Sequence, residues 1–150
     1  DSTSVHDVWE MRLLLEGWAV AQATQTLTEE DLDRLDEMLI RARQDALQSQ
    51  YDTHLQSDIT LHDMLMQATD NKLFGHLAQL VNDQSVRIRS LVEAIAPVEE
   101  VLMIVDEHCG ILEALRQRDP ELARARLLTH LEAGQMRTLT ALGKMRENEE

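Results

Sequence analysis

Apolar residues recur along nearly the whole chain at intervals of three and four, the spacing of one face of an α-helix. No segment alternates at the period of two that a half-buried strand requires. The first helix is predicted over about Val5 to Ala23, with Val5, Val8, Leu15 and Ala19 on one face and Arg12 sharing it. A second follows Leu27, where Thr28 with Asp31 three residues on resembles a capping box, and runs through Leu32, Leu35, Leu39 and Ala42 to about Gln48. Its other face, rich in Asp, Glu and Arg, is expected to be solvated. The period breaks around residues 49–52 and resumes in a third segment, where Leu55, Ile59, Leu65 and Met66 set a stripe. That stripe also takes in Asp58 and His62, and Thr69-Asp70-Asn71 ends it with turn chemistry.

The fourth helix is predicted over Lys72 to about Ala94, turning Leu73, Leu77, Leu80, Val81, Ile88 and Leu91 inward, with Gln84 and Arg87 at the border. Ala96-Pro97 is a break, because the residue before a proline avoids the α region while proline suits a helix start. A fifth helix then spans about Val98 to Arg118, with Leu102, Val105, Cys109, Leu112 and Leu115 inward and His108 in the stripe. At Asp119-Pro120 an N-cap and a first helical residue open the last helix, which runs to about Met145. Ala123, Leu127, Leu131 and Gly134 form its face, His130 lies among them, and the charged tail Arg146 to Glu150 is expected to fray. The class is therefore all-α, an antiparallel helical bundle of six helices, or seven if a short one forms near residues 94–100.

With 150 residues the chain reads as a single domain, 1–150, large enough to bury roughly 70% of its unfolded surface. One cysteine, Cys109, excludes an internal disulfide framework. A formal net charge of −14 without a Lys/Arg cluster repels nucleic acid and anionic membrane surfaces, so DNA binding would need another domain. The longest apolar run, Val101 to Val105, is far short of the ~20 residues of a membrane span. The first residues lack a basic start followed by an apolar core, so no signal peptide is expected. A soluble, cytoplasmic protein follows, and the start at Asp1 within helix-like sequence suggests a fragment.

Asp58 and His62 lie four apart, one turn above the other on the face that enters the core. Burying either without a partner is costly, so an ion pair, a hydrogen-bond network or a metal ion is implied. His62, His108 and His130 occupy stripe positions on three different helices. Three imidazoles and a carboxylate form a ligand set suited to Zn, Ni, Mn or Fe, and bundles build such sites from facing helices. The alternative is three separately satisfied core histidines and a capped aspartate. His54 and His76 sit one position off a stripe and His6 near the terminus, and none of these is expected to bind metal. Arg12 pairs with Glu16 as an ordinary contact on the helix surface, or, in a metal-containing pocket, clamps a carboxylate bidentately.

Four stretches stand in order along the chain: Val8-Trp9-Glu10-Met11-Arg12 with Glu16 and Ala19; Asp58-x3-His62 followed by Ala68-x2-Asn71-x-Leu73; Glu107-His108 with Ile111 to Ala114; and Arg118-Asp119-Pro120-x2-Ala123 leading to His130-Leu131. Together they resemble the C-terminal effector-binding (FCD) domain of FadR-type GntR transcription regulators. The resemblance covers nearly the whole chain. It implies a helical bundle that binds a small effector, commonly a carboxylate such as a sugar acid or hydroxy acid. In metal-binding members a divalent ion sits at the pocket floor, held by residues matching Asp58, His62, His108 and His130. The resemblance also implies a homodimer and an N-terminal winged helix-turn-helix that contacts operator DNA, a module absent from this chain. Leu61 stands where such members carry Phe, and the full quartet argues against a long-chain acyl-CoA ligand.

In that picture the effector's oxygens take coordination positions left open by the quartet, and Arg12, Gln84 and Arg87 line the pocket and recognise its distal end. The effector shifts dimer geometry only by its differential affinity for two arrangements. A metal-dependent enzyme is the main rival, since an ion with open positions also serves Lewis-acid catalysis. Against it, neither Glu-x-x-His nor His-Glu-x-x-His occurs, and no spare acid stands in the core stripes. A purely structural dimerisation bundle is the third reading. The expectation is a sensor domain and not an enzyme.

Overall fold

The computed structural model describes residues 2–93 and 95–147, with side chains from Val5 onward. Six helices follow one another: α1 Ser2–Thr26, α2 Glu29–Ala46, α3 Asp52–Gln67, α4 Lys72–Glu93, α5 Val98–Arg116 and α6 Pro120–Glu147. No strand occurs among the described residues. α1 lies along α6, α2 packs on α3 and α5, and α4 leans on α1, α3 and α6. The apolar core is contributed by Val20 and Ala23, the α2 stripe Leu32, Leu35 and Leu39, Leu61 and Leu65, Ile111 and Leu115, and Leu127 and Leu131. It fills the half of the bundle around α2, and the polar groups of the other half come from the five remaining helices.

Helix ends follow local chemistry. Thr28 and Asp31 form the expected capping box, with the Asp31 amide 3.1 Å from Thr28 Oγ1 and the Thr28 amide 3.0 Å from Asp31 Oδ2. Asn71 Oδ1 accepts from the Phe74 amide at the start of α4, and Asp119 Oδ1 from the Leu122 amide at the start of α6. α5 ends in a Schellman turn: Arg118 is left-handed (φ 56°), its amide donates to Leu115 O, and the Asp119 amide donates to Ala114 O. A left-handed non-glycine residue costs on the order of 1 kcal/mol. The Arg118 side chain offsets this by donating to the Thr24 and Leu27 carbonyls at 3.2 and 2.6 Å, which ties the end of α1 to the α5–α6 turn.

The phase of α4 differs from the sequence expectation. Leu73 (69% exposed), Leu77, Leu80 (61%) and Leu91 face outward, Val81 and Ile88 are half-buried, and Phe74, Ala78, Asn82, Ser85, Arg89, Val92 and Glu93 face the bundle. The leucine stripe is an exposed apolar face, and the inward face is mostly small or polar. α1 adds Met11, Leu14 and Trp18 to the exposed apolar surface, and Trp18 packs on Phe74 with ring centroids 4.8 Å apart. Residues 95–97 form a turn and an extended link into α5, so no seventh helix forms there among the described residues. Of the tail, Arg146 and Glu147 continue α6, and residues 148–150, like Ala94, lie outside the described residues. No described helix is long and apolar enough to cross a membrane.

Candidate metal centre

Asp58 and His62 on α3, His108 on α5 and His130 on α6 meet in the polar half of the bundle, all buried, with ligand atoms within 4.8 Å of one another. His130 Nε2 lies 3.2 Å from both His62 Nε2 and His108 Nε2, while Asp58 Oδ1 is 3.3 Å from His108 Nε2 and 3.5 Å from His62 Nε2. Three ring nitrogens of the same kind and one carboxylate oxygen thus converge on a point. Donors bound to one ion at ~2.1 Å stand about 3.0–3.4 Å apart, so the arrangement fits a divalent metal.

The supports of the histidines fix where their protons are. His62 Nδ1 is hydrogen-bonded to Glu16 Oε2, and His130 Nδ1 to Glu107 Oε2 at 2.6 Å. Burial alone would raise the Glu16 carboxyl, yet the Arg12 charge and His62 hold it below the usual carboxylate range. Burial likewise opposes ionisation of Glu107, but hydrogen bonds from His130 and Arg137 bring it down to about 2. An ionised carboxylate only accepts, so both Nδ1 atoms carry the hydrogen and both rings turn Nε2 toward the cluster. Two ring nitrogens 3.2 Å apart, beside Asp58, suit a cation between them. Burial depresses His130 to about 3 and lowers His108 as well, despite Glu107 and Asp58, so both imidazoles are neutral and ready to ligate at pH 7. Burial also opposes the charge on Asp58, which Arg89, with His108 and His62 beside it, nevertheless holds well below its ordinary value.

Each acidic group is held by a guanidinium. Arg12 Nε donates to Glu16 Oε1 at 2.7 Å, Arg137 grips Glu107 through two bonds of 2.8 Å, and Arg89 Nη1 donates to Asp58 Oδ2. Beside the cluster opens a cavity, continuous with solvent, whose walls include Trp9, Arg12, Asp58, Arg89, His130 and Arg137. Trp9 Nε1, Arg12 Nη2 and Arg89 Nε and Nη2 are buried donors without protein partners. Unpaired guanidinium edges along a cavity suit an anion, a planar carboxylate above all.

The structure brings together the four expected ligand residues and places Arg12 in the cavity wall. Arg12 and Glu16 do not form a surface pair as expected, because both are fully enclosed. Gln84 and Arg87 are exposed on α4 and do not line the cavity, a correction that follows from the reversed phase of that helix. Arg89, two positions on, stands in their place. His54, expected on a solvated or bordering face, is fully buried, while His76 is exposed. Sequence reasoning also missed Glu16, Glu93 and Glu107 as buried or bridging acids. The four-residue spacing of Arg12 and Glu16 was one legible signal, and the position of Glu107 next to His108 carried none.

A model of the FCD domain matches residues 7–133. The chain is 30% identical over 123 residues to the HTH-type transcriptional repressor NanR of Cronobacter sakazakii, and 29% identical over 124 residues to that of Citrobacter rodentium. In both alignments 81% of the chain is covered but 46% of the relative, so the chain spans about half the length of the curated relatives it matches. Among solved structures, the metal-free FCD domain of TM0439, a putative transcriptional regulator, superposes with a TM-score of 0.82 at 20% identity, covering 96% of this chain and 97% of that one. E. coli McbR/YncC follows with a TM-score of 0.75 at 22% identity over 90% and 64%, and Streptococcus agalactiae GntR with 0.69 at 23% over 91% and 60%. These structures share the fold, and the matched relatives are regulators and not enzymes. On the match over residues 7–133, the chain belongs to the FCD domain family.

Proposed function

We propose that this chain is the effector-sensing domain of a GntR-type transcription regulator, binding a divalent metal and a small carboxylate metabolite. The observation that carries the reading is the convergence of three Nε2 atoms and Asp58 Oδ1 at the wall of a cavity whose arginines keep unpaired donors. Asp58, His62, His108 and His130 hold the ion, with Zn, Ni, Mn or Fe compatible with the donor set. When bound, the ion supplies a Lewis-acidic centre to an effector's oxygens. Arg12 and Arg89 bind the effector's carboxylate, and Trp9 Nε1 adds a third donor. The four ligands come from three helices and the arginines from two others, so an occupied site ties five helices together.

Two further parts of the reading rest on surface and composition. The exposed leucine face of α4, with Met11, Leu14 and Trp18 of α1, supports a homodimer, since such apolar faces commonly mark interfaces. A net charge of −14 leaves operator DNA to a separate N-terminal domain, and a DNA partner places the protein in the cytoplasm. Elemental mass spectrometry of the purified, unchelated protein tests the metal assignment, alongside Asp58→Ala and His62→Ala. About one divalent ion per chain, lost in both variants, is expected. Metal-free protein that takes up no Zn, Ni or Mn on addition refutes it.

A further inference from the structure

Two buried polar residues take no part in the ligand set or its supports. His54, four residues before Asp58 on α3, is fully buried, and neither ring nitrogen has a hydrogen-bond partner. Glu93, four residues after Arg89 on α4, faces it with Oε2 3.5 Å from His54 Nε2, and that oxygen also lacks a partner. At that separation the contact is too long to satisfy either group. Glu93 lines the same cavity as Trp9, Arg12 and Arg89.

The unpaired groups along this cavity are of two kinds. Trp9, Arg12 and Arg89 offer donors only, whereas Glu93 Oε2 is an acceptor. A plain carboxylate brings only acceptors, so it satisfies the first kind and leaves the second stranded. Of the other acids in the wall, Asp58 is held by Arg89, and Glu100 is half-exposed and reaches water. Burial, reinforced by Asp58, pushes Glu93 up to about 8. The neutral acid keeps one acceptor oxygen for a hydroxyl, and an ammonium would draw it into the ionised form.

We propose that Glu93, backed by His54, is a specificity-determining residue that accepts a hydrogen bond from a hydroxyl or ammonium group of the effector. The cavity then selects carboxylates carrying such a donor over chain-matched plain acids. This rests on reading the cavity as the effector site. A group built to pair with a ligand donor discriminates strongly against the analogue that lacks it.

Isothermal titration calorimetry on the intact chain with matched probes tests the assignment: gluconate against hexanoate, lactate against propionate, and 4-aminobutyrate against butyrate. In at least one pair the donor-bearing acid should bind about 10- to 100-fold more tightly. Glu93→Leu should bring that ratio within about twofold while the melting temperature holds or rises, because it removes a buried unpaired polar group. Glu93→Gln should keep a preference for hydroxyl and lose one for ammonium. Equal binding within every pair overturns the inference and leaves the cavity reading standing. Undiminished selectivity in Glu93→Leu also overturns it. No binding by any probe overturns the cavity reading and the inference together.

Discussion

Exchanging Glu107 for Gln and, separately, Glu16 for Gln distinguishes support of the ligands from support of the fold. Both carboxylates accept Nδ1–H of a cluster histidine and turn its Nε2 lone pair inward, and both are gripped by an arginine. They differ in burial: the Glu107 side chain is 24% exposed and that of Arg137 15%, whereas Glu16 is 0% exposed and Arg12 3%. Removing such a support costs about 10- to 100-fold in metal affinity, so Glu107→Gln should weaken binding by roughly 1.4–2.7 kcal/mol. Its effect on the metal-free fold should stay within about 1 kcal/mol, since Arg137 reaches solvent. Glu16→Gln removes the same kind of support but leaves the Arg12 guanidinium enclosed without a counter-ion. Breaking one side of a buried pair costs about 3–5 kcal/mol, on the order of 10 °C in melting temperature for a chain of this length. Metal affinity measured by chelator competition, and thermal denaturation of the chelated proteins, give the two readouts. Wild-type metal affinity in Glu107→Gln, or equal stability of the two variants, would refute this reasoning.

Zn²⁺ at 100 times its Kd should stabilise the protein by about 2.7 kcal/mol, raising the melting temperature by roughly 5–10 °C. His108→Ala should erase that rise in differential scanning fluorimetry, and an undiminished rise would count against His108 as a ligand. The metal-free protein should be most stable near pH 6.5. Burial depresses His54 to about 4 and His130 to about 3, so the unfolded chain takes up those protons first and stability falls as pH drops below the ordinary histidine value of 6.5. Glu93, raised to about 8 by burial, holds its proton in the fold, so stability falls as pH rises from 4.5 toward 8. Two histidine contributions outweigh one opposing glutamate below 6.5, and the glutamate acts alone above it; urea midpoints across pH 4–9 that lie flat would contradict this. Leu77→Arg with Leu80→Asp on exposed α4 positions should turn a dimer into a folded monomer by light scattering, and an unchanged mass would move the interface elsewhere.

How much was legible in the sequence depended on which residues carried the phase of each helix. In α2, α5 and α6 most of the branched apolar residues point into the bundle, Ile40 excepted, so periodicity located the core face and with it His108 and His130. In α3 the true face is rotated slightly, taking in His54, Ser57 and Leu61 beside Asp58 and His62, which is why His54 was assigned to solvent or a border. In α4 the strongest apolar stripe belongs to the surface, and the buried face is Phe74, Ala78, Asn82, Ser85, Arg89 and Glu93. Periodicity reports that a helix has two unlike faces, and reads the apolar one as inward; an exposed apolar face and a polar cavity on opposite sides of one helix invert that rule. The caps at Thr28 and Asp119 were legible because they depend on neighbours in sequence. The bridging acids were not, because Glu16 and His62 are far apart in the chain and meet only through packing.

The distribution of buried charge argues that this half of the bundle is shaped for binding. Arg12, Glu16, Asp58, Arg89 and Glu93 are all enclosed, beside four buried histidines, in a chain whose other half packs with leucine. Apolar residues of similar volume in such places are often neutral or stabilising by comparison, so stability alone does not favour these groups. Their arrangement gives each arginine two duties. Arg12 holds Glu16, Arg89 holds Asp58 and Arg137 holds Glu107, while all three also line the cavity. A guanidinium is a rigid fork, so an anion that engages its free edge in the cavity also fixes the edge that orients a ligand of the cluster or its support. On the proposed reading, an anion in the cavity and an ion at the cluster would share the same side chains, so their binding would not be independent. Whatever the anion does to the affinity for the ion, the ion must do equally to the affinity for the anion.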